Sequence, residues 1–178
     1  MKTEKKPTPA LVPCPAILLS VAGDEKPNII TLSWAANVCS NPPTLVVGIR
    51  PNRFSHDLVR KAGDFVVNIP SADLIKETIF CGSRSGKDHD KFEECKLTPL
   101  ASTKVTSPMI KECPINIECK TEKIVGLGAH DLFIAEIVAV HVEESILDSN
   151  GRLDPEKANL FTYLPLAAEY WKLGEKIA

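Results

Sequence analysis

Two arginines and a serine follow directly on an apolar run, because Arg50, Arg53 and Ser55 come after the stretch Thr44 to Ile49. A guanidinium group binds phosphate oxygens through paired N–H donors. Ser55 is also a good N-cap for a helix predicted over the sequence HDLVRKA, whose free N–H groups and dipole favour an anion. These residues therefore predict a phosphate-binding site. The alternative interpretation is a solvated turn with a capping serine.

The residues before this site are suited to a flat ligand. The stretch Asn28 to Trp34 is typical of a largely buried strand, and Thr44 to Ile49 is typical of a second one. Between them, Ala35 to Asn41 are small, amide or hydroxyl residues, and two prolines follow. We expect a loop here, because small side chains let a ring approach the backbone closely. The segment Asn28 to Ser55 thus predicts a site that binds a ring and an anion.

A second polar segment and one histidine complete the candidates. The polar loop Ser83 to Phe92, which ends with the sequence SGKDHDKF, either faces solvent or wraps around something charged. Taken singly, its lysines would be ordinary surface residues. Three consecutive polar residues, DHD, cannot readily converge on one ion, so we expect no metal site. His130 precedes a long apolar stretch, where a histidine is ordinarily a capping residue of a turn.

The elements that position these residues are mostly strands. The patterns predict a hairpin of Ala16 to Ala22 with the strand that starts at Asn28, a helix that Gly63 ends, and a strand over 65–69. Further along they predict a helix from Ser71 or Asp73 to Cys81-Gly82, a surface connection over 95–111, a strand over 115–125 with one wet face, and a central strand over 132–142 that is apolar on both faces. The fold class is therefore mainly β, an antiparallel barrel with a few peripheral helices.

Composition limits the function classes. A chain of 178 residues with 44% hydrophobic and 25% charged residues is typical of one globular domain, which we place at 13–178 after an N-terminal arm at 1–12. The net charge of -2 offers no electrostatic basis for nucleic-acid binding. The polar N-terminus and the lack of a long apolar run predict a cytoplasmic protein with no membrane partner. The six cysteines contain no C-x-x-C pair, so we expect free thiols.

Four blocks of this sequence, taken in order, resemble the flavin reductase-like, FMN-binding split-barrel family, in particular its flavoredoxin-type branch. The first block contains T-x-S-W, P-P and R-x-S; the others are SGKDHDKF, Cys113-Pro114, and the sequence GAHD that includes His130. The resemblance covers roughly residues 13 to 174. It implies an FMN-binding split β-barrel, antiparallel and Greek-key-like.

The same resemblance implies roles for individual residues. The FMN ring and ribityl chain would lie against two short segments, and the phosphate against the arginine and serine residues. Lys91 and Phe92 would approach the cofactor. His130 would lie near the reactive face of the flavin as the candidate catalytic residue, and the alternative is that it only caps a turn. Cys39 is either a redox thiol or a small filler beside the ring. The implied cofactor-binding residues are Thr31, Leu32, Ser33, Trp34, Val38, Cys39, Ser40, Arg50, Arg53, Ser55, Lys91 and Phe92.

The function implied by the resemblance is an FMN-binding oxidoreductase that passes electrons from NAD(P)H, or from a protein redox partner, through bound FMN. One compact phosphate site favours FMN over FAD. The alternatives are a non-enzymatic electron-transfer flavoprotein and a flavin-storage or sensing module. The resemblance also implies a homodimer. The proline-bearing arm, the polar loop at 83–90 and the aromatic tail with Tyr163, Tyr170 and Trp171 favour one independently.

Overall fold

The computed structural model describes all 178 residues, in a mainly β architecture. The strands are β1 Cys14–Pro15, β2 Ile17–Val21, β3 Asn28–Leu32, β4 Ala35–Ser40, β5 Pro43–Ile49, β6 Asp64–Ile69, β7 Pro99–Leu100, β8 Met109–Ile110, β9 Ile115–Gly126, β10 Asp131–Val142, β11 Phe161–Leu164 and β12 Glu169–Lys172. The helices are α1 Phe54–Ala62, α2 Ile75–Ser83, α3 Lys91–Glu94 and α4 Pro155–Ala158. Residues 1–13 contain no helix or strand.

Seven strands form one antiparallel sheet in the order β3-β2-β6-β9-β10-β5-β4. The chain leaving β3 turns back onto β5, because the Gly48 N–H donates to the Trp34 carbonyl oxygen at 2.8 Å. A Cβ atom at Gly48 would lie only 3.3 Å from the Trp34 Cβ, so glycine permits this close approach. The contact brings the two edges of the sheet together and gives the predicted barrel.

Two hydrophobic clusters hold the architecture together. Fifteen buried residues fill the interior of the seven-stranded sheet, with Phe65 and Phe133 among the fully buried side chains. A second cluster of seven buried residues lies on the other side of β2 and β3, where α2 and α3 contribute Cys81 and Phe92. Each fully buried large apolar side chain contributes roughly 1.5–3 kcal/mol. The helices are therefore fixed against the strand that precedes the candidate site.

Most predicted elements are confirmed. Strands β2 and β3 form the expected hairpin, β9 and β10 span the two long predicted strands, and β10 lies inside the sheet between β9 and β5. Gly63 ends α1 with φ 70, and its N–H donates to the Val59 carbonyl oxygen. Local signals were sufficient for these elements, because hydrophobic period and turn chemistry agree at each of them.

One predicted connection is wrong, and a second is only partly correct. Ala35 to Asn41, expected as a loop, instead contains β4, an exposed edge strand that pairs with β5. The surface connection expected over 95–111 contains the β7–β8 hairpin, and Leu97, Met109 and Ile110 are buried in it. An exposed edge strand has no hydrophobic period to read, and a few residues of the second segment are buried by contacts with parts of the chain far away in sequence.

The segment 101–108 is anchored on two buried carboxylates of the barrel. Glu118, with a side chain fully shielded from solvent, accepts N–H bonds from Thr103, Lys104 and Val105 at 2.6–3.1 Å, and His141 Nε2 lies 2.7 Å away. Desolvation by burial opposes ionisation, but the donors at Thr103, His141 and Lys104 outweigh it and lower the pKa of Glu118 to about 2. Asp64 anchors the end of the segment through donors of Thr106 and Ser107.

The C-terminal residues form a separate three-stranded sheet in the order β1-β11-β12. Tyr163 and Tyr170 are cross-strand partners with ring centroids 5.0 Å apart, whereas Trp171 lies on the opposite face of β12. The hydroxyl of Thr162 donates to the Cys14 carbonyl oxygen at 2.5 Å, which ties the hairpin to β1. The predicted aromatic grouping therefore holds for the two tyrosines and excludes the tryptophan.

All six cysteines are free thiols in the structure. No group of three or more His, Cys, Asp or Glu side chains is arranged to hold a metal ion. None of the helices is both long enough and apolar enough to cross a membrane.

Candidate functional site

A cavity of about 800 Å³ lies between the open end of the barrel and the C-terminal hairpin. Its volume falls within the usual range of small-molecule sites. Its inner wall is formed by residues that the sequence identified, and its outer wall is formed by β11, β12 and the N-terminal arm. The predicted site residues that line it are Thr31, Leu32, Ser33, Trp34, Arg50, Arg53 and His130.

The inner wall carries two aromatic rings and a cation. Trp34 is 44% exposed, and its ring lies 5.8 Å from the His130 ring at an interplanar angle of 55°. Arg50 Nε donates to His130 Nε2 over a long 3.4 Å, which leaves the ring proton on Nδ1 while this bond is made. Burial and the nearby Arg50 charge lower the pKa of His130 below its ordinary value. The histidine is therefore neutral at pH 7.

A smaller cavity of about 130 Å³ adjoins the large one and shares Ile30, Arg53 and Gly82 with it. It lies at the start of α1, where Arg53 occupies the N-cap position without a side-chain capping bond. The first N–H groups of an uncapped helix are free to bind an anion. Arg84 and Lys91 add positive charge to the lining. The small cavity is therefore a candidate anion site, and it opens into the large cavity.

Ser55 does not cap the helix, so that prediction is wrong. It is the second residue of α1, it is buried, and its hydroxyl oxygen accepts a bond from Asn28 Nδ2 at 2.7 Å. The hydroxyl proton remains available to an acceptor in the small cavity, which Ser55 lines. A Cβ atom at Gly86 would collide with the Asn28 side-chain amide, so glycine lets the polar loop close over this pair. Asn28 thus links three segments around the anion site.

Lys91 is not a surface lysine, because only 3% of it is exposed. Its Nζ donates to the carbonyl oxygens of Ile29 at 2.6 Å and Cys81 at 2.8 Å. Desolvation lowers the pKa of this ammonium group, although the neighbouring Cys81 and Cys95 oppose the effect. The third N–H of the ammonium is left for an anion in the small cavity. Phe92 packs into the second hydrophobic cluster and lines neither of the two joined cavities.

Three predicted residues lie elsewhere. Val38, Cys39 and Ser40 are exposed on the edge strand β4 and line neither cavity. Their contact with a cofactor stays a prediction.

Sequence reasoning missed part of the site. Arg84 lies in the polar loop that was expected either to face solvent or to wrap around something charged, and that pattern was the available signal. Tyr163 and Tyr170 were interpreted only as part of an aromatic tail, because only the fold brings the C-terminal hairpin to the cavity beside β3.

The two joined cavities fit a ligand with a flat ring at one end and a single phosphate at the other. The large cavity has aromatic and small residues on its inner wall, and the small one has cationic groups and a helix N-terminus. Ser33 adds a hydroxyl group to the lining of the large cavity, whereas the Thr31 hydroxyl donates to the Thr78 carbonyl oxygen. The donor set suits a phosphate monoester, because it consists of N–H and O–H groups with no carboxylate.

Comparison with known proteins identifies relatives of this chain. The family model described as "Flavin reductase like domain" matches residues 10–157. An uncharacterized protein of Archaeoglobus fulgidus is 39% identical over 136 residues, which is 76% of either chain. The structure of flavoredoxin of Desulfovibrio vulgaris (Miyazaki F) superposes with a TM-score of 0.94 at 31% identity, over 100% of this chain and 96% of that one. Flavoredoxin from Methanosarcina acetivorans gives 0.90 at 28% identity, over 100% and 95%. These similarities confirm the predicted split-barrel fold.

Proposed function

Because the chain belongs to the flavin reductase-like domain family, we propose that the protein binds FMN and passes electrons through it as an NAD(P)H-dependent oxidoreductase. The observation that carries this proposal is the pair of joined cavities, one suited to a ring and the other to one phosphate. FMN, which carries one phosphate, is favoured over FAD because a single small anion site adjoins the large cavity. We retain the division into an arm at 1–12 and a flavin-binding domain at 13–178.

The roles of the residues follow from their positions. Arg53, Ser55 and Lys91 would hold the phosphate together with the N–H groups at the start of α1. Thr31, Leu32, Ser33 and Trp34 would contact the ring and the ribityl chain.

Arg50 and His130 line the large cavity, which would hold the flavin ring. Arg50 fixes His130 through Nε2, so the histidine would hold its proton at Nδ1 at the edge of the cavity. Bound FMN supplies the redox chemistry, and the protein supplies binding, orientation and electrostatics.

Stopped-flow mixing with reduced nicotinamides tests this function. We expect FMN-loaded protein mixed with NADH or NADPH to lose the visible absorbance of oxidised flavin within seconds. A reductant that needs no binding site, such as dithionite, provides the control for flavin that is bound and reducible. If dithionite bleaches the flavin and neither nicotinamide does so, the protein is not a nicotinamide-dependent reductase.

The second candidate function is a non-enzymatic electron carrier with a protein redox partner. It is favoured by the similarity to flavoredoxin, which extends over the entire chain. In that case dithionite-reduced FMN should pass its electrons to a protein acceptor while both nicotinamides remain without effect. The two outcomes of the mixing experiment therefore separate an enzyme from a carrier.

We also propose that the working unit is a homodimer with the flavin sites near the subunit interface. Val140 is 55% exposed and Val142 is 38% exposed on one face of β10, and Val38 is 54% exposed on the free edge strand β4. Exposed aliphatic residues on a sheet are typical of surfaces that a partner covers. Since Val38, Cys39 and Ser40 line neither of the two joined cavities, we propose that they reach the flavin of the partner subunit.

Light scattering on the FMN-loaded protein measures the assembly directly. We expect twice the chain mass of 19.4 kDa at micromolar concentration. Val140→Lys should shift the mass towards that of one chain and weaken FMN binding, because the interface would then bury a charge. Lys123→Ala, at another exposed position of the same hairpin, serves as a control. A single-chain mass with full flavin occupancy contradicts both the dimer and the shared site.

A further inference from the structure

We propose that the β11–β12 hairpin selects the second ligand of the site, a flat-ring electron donor or acceptor, which stacks against Tyr163 and Tyr170. This inference rests on the proposed function and concerns what reaches the flavin. It assigns a binding role to the C-terminal residues.

The hairpin forms the outer wall of the large cavity. Tyr163, Pro165, Ala168 and Tyr170 line it from this side, and none of them carries a charge. The two tyrosine rings lie 5.0 Å apart at an interplanar angle of 48°, and Phe161 supports Tyr170 by an edge contact at 5.8 Å. Aromatic rings favour offset or edge contacts with other rings at such distances. The outer wall is therefore suited to a flat ring and offers no charge to a free anion.

The inner and outer walls belong to different parts of the chain. Trp34 and His130 on the inner wall fall inside the range 10–157 that matches the family, whereas the hairpin lies beyond it. The anion site also lies inside the matched range. The inner wall and the anion site together accommodate the cofactor. The hairpin is then left to face whatever enters the cavity after the cofactor.

The hairpin is attached to the barrel through a separate small sheet. It pairs only with β1, as part of the three-stranded sheet, and its turn includes Ala168 with φ 56. A substitution on its surface therefore changes the outer wall without removing residues from the barrel core. This separation lets the wall be altered while the cofactor site stays intact.

Trp171 provides a matched control. It is the next residue after Tyr170 on β12, but it points away from the cavity, is 57% exposed and donates its indole N–H to Glu169 Oε2 at 2.8 Å. Removing its side chain takes away a larger aromatic surface from the same strand. A general loss of hairpin stability would affect both positions, whereas ring stacking involves Tyr170 and not Trp171.

The experiment measures binding of unreactive flat rings to FMN-loaded protein by calorimetry. The probes are oxidised nicotinamide mononucleotide, which cannot donate a hydride, and 2-naphthoate, which carries a ring without a nucleotide. We expect Tyr170→Ala to weaken ring binding roughly three- to tenfold, and Tyr170→Phe to restore it. Tyr170→Leu keeps apolar bulk in the hairpin and should lose as much as the alanine variant. Trp171→Ala should remain within about twofold of the wild type.

The outcomes separate the inference from the function on which it rests. Failure of the wild type to take up FMN at the loading step contradicts the proposed function before any ring is added. If FMN binds but neither probe binds at millimolar concentration, the inference is wrong and the flavin site stands. An equal loss in Trp171→Ala, or a loss of FMN affinity as large as that of ring affinity in Tyr170→Leu, also overturns it. A loss for both probes assigns the wall to flat rings in general, and a loss for the mononucleotide alone assigns it to nicotinamide.

Discussion

Replacing Glu118 by Gln is expected to lower the free energy of unfolding by about 3 kcal/mol or more. The carboxylate is fully buried, and it accepts bonds from Thr103, Lys104 and Val105 as well as from His141. A glutamine amide presents one oxygen and two donors, so at least one N–H of the 101–108 segment would face another donor. A buried N–H group without a hydrogen-bond acceptor lowers the stability of the fold by its desolvation free energy. The segment should therefore detach before the barrel unfolds.

The same site makes stability depend on pH. Glu118 has its pKa lowered from 4.5 to about 2 in the folded protein, so its carboxylate stabilises the fold at any pH above its unfolded pKa. This contribution, about 3 kcal/mol, is lost as the pH falls from about 4.5 through about 2. Urea unfolding of wild type and Glu118→Gln at pH 7 and at successively lower pH should show the two stabilities converging over that range.

Glu122→Gln is the matched control, because Glu122 is exposed on the same strand β9 and loses the same charge. We expect a change within about 0.5 kcal/mol. A Glu118→Gln protein as stable as this control would show that the hydrogen bonds to Glu118 contribute nothing to folding. A stability difference that stays constant down to pH 2 would show that the pKa of Glu118 is not lowered.

The predictions from sequence succeeded where the signal was local. The β2–β3 hairpin and the end of α1 at Gly63 each depend on residues within a few positions of one another. The fold class followed from the same short patterns, because hydrophobic runs of strand length separated by turn residues leave few alternatives to an antiparallel barrel. The prediction of a loop over Ala35–Ser40 was wrong, because an exposed edge strand resembles a loop in sequence.

The candidate site was predicted in part for the same reason. Arg50 and Arg53 adjoin β5 and α1 in sequence, so their convergence could be inferred. The burial of Lys91 could not be inferred, because it depends on carbonyl oxygens of β3 and α2. The shorter of these two hydrogen bonds is to a residue 62 positions away in sequence. The capping role predicted for Ser55 was wrong, because its hydrogen-bond partner, Asn28, lies 27 positions away in sequence. Long-range hydrogen bonds of this kind leave no periodic trace in the sequence.

Arg53→Ala is expected to weaken FMN binding by about 1.5–3 kcal/mol, which corresponds to a roughly 10- to 150-fold higher Kd. Arg53 is the only arginine that lines both cavities, and it adjoins the uncapped N-terminus of α1. The fold should survive, since the residue is exposed and its side chain caps nothing. Calorimetric titration of the apoprotein with FMN measures the change. Arg60→Ala, an exposed position in the last turn of the same helix, is the control.

Riboflavin makes this experiment specific to the phosphate, because it carries the same ring and ribityl chain without the phosphate group. If Arg53 binds the phosphate, Arg53→Ala should weaken FMN strongly and riboflavin by less than about threefold, so the difference in affinity between the two ligands should shrink. An equal loss for both ligands would assign Arg53 to the ring end of the cavity. Unchanged FMN affinity would instead assign phosphate binding to Arg84 and Lys91, the other cationic residues of the small cavity. Lys91→Met would then produce the loss that Arg53→Ala does not, because its ammonium group has one N–H left after Ile29 and Cys81 are satisfied.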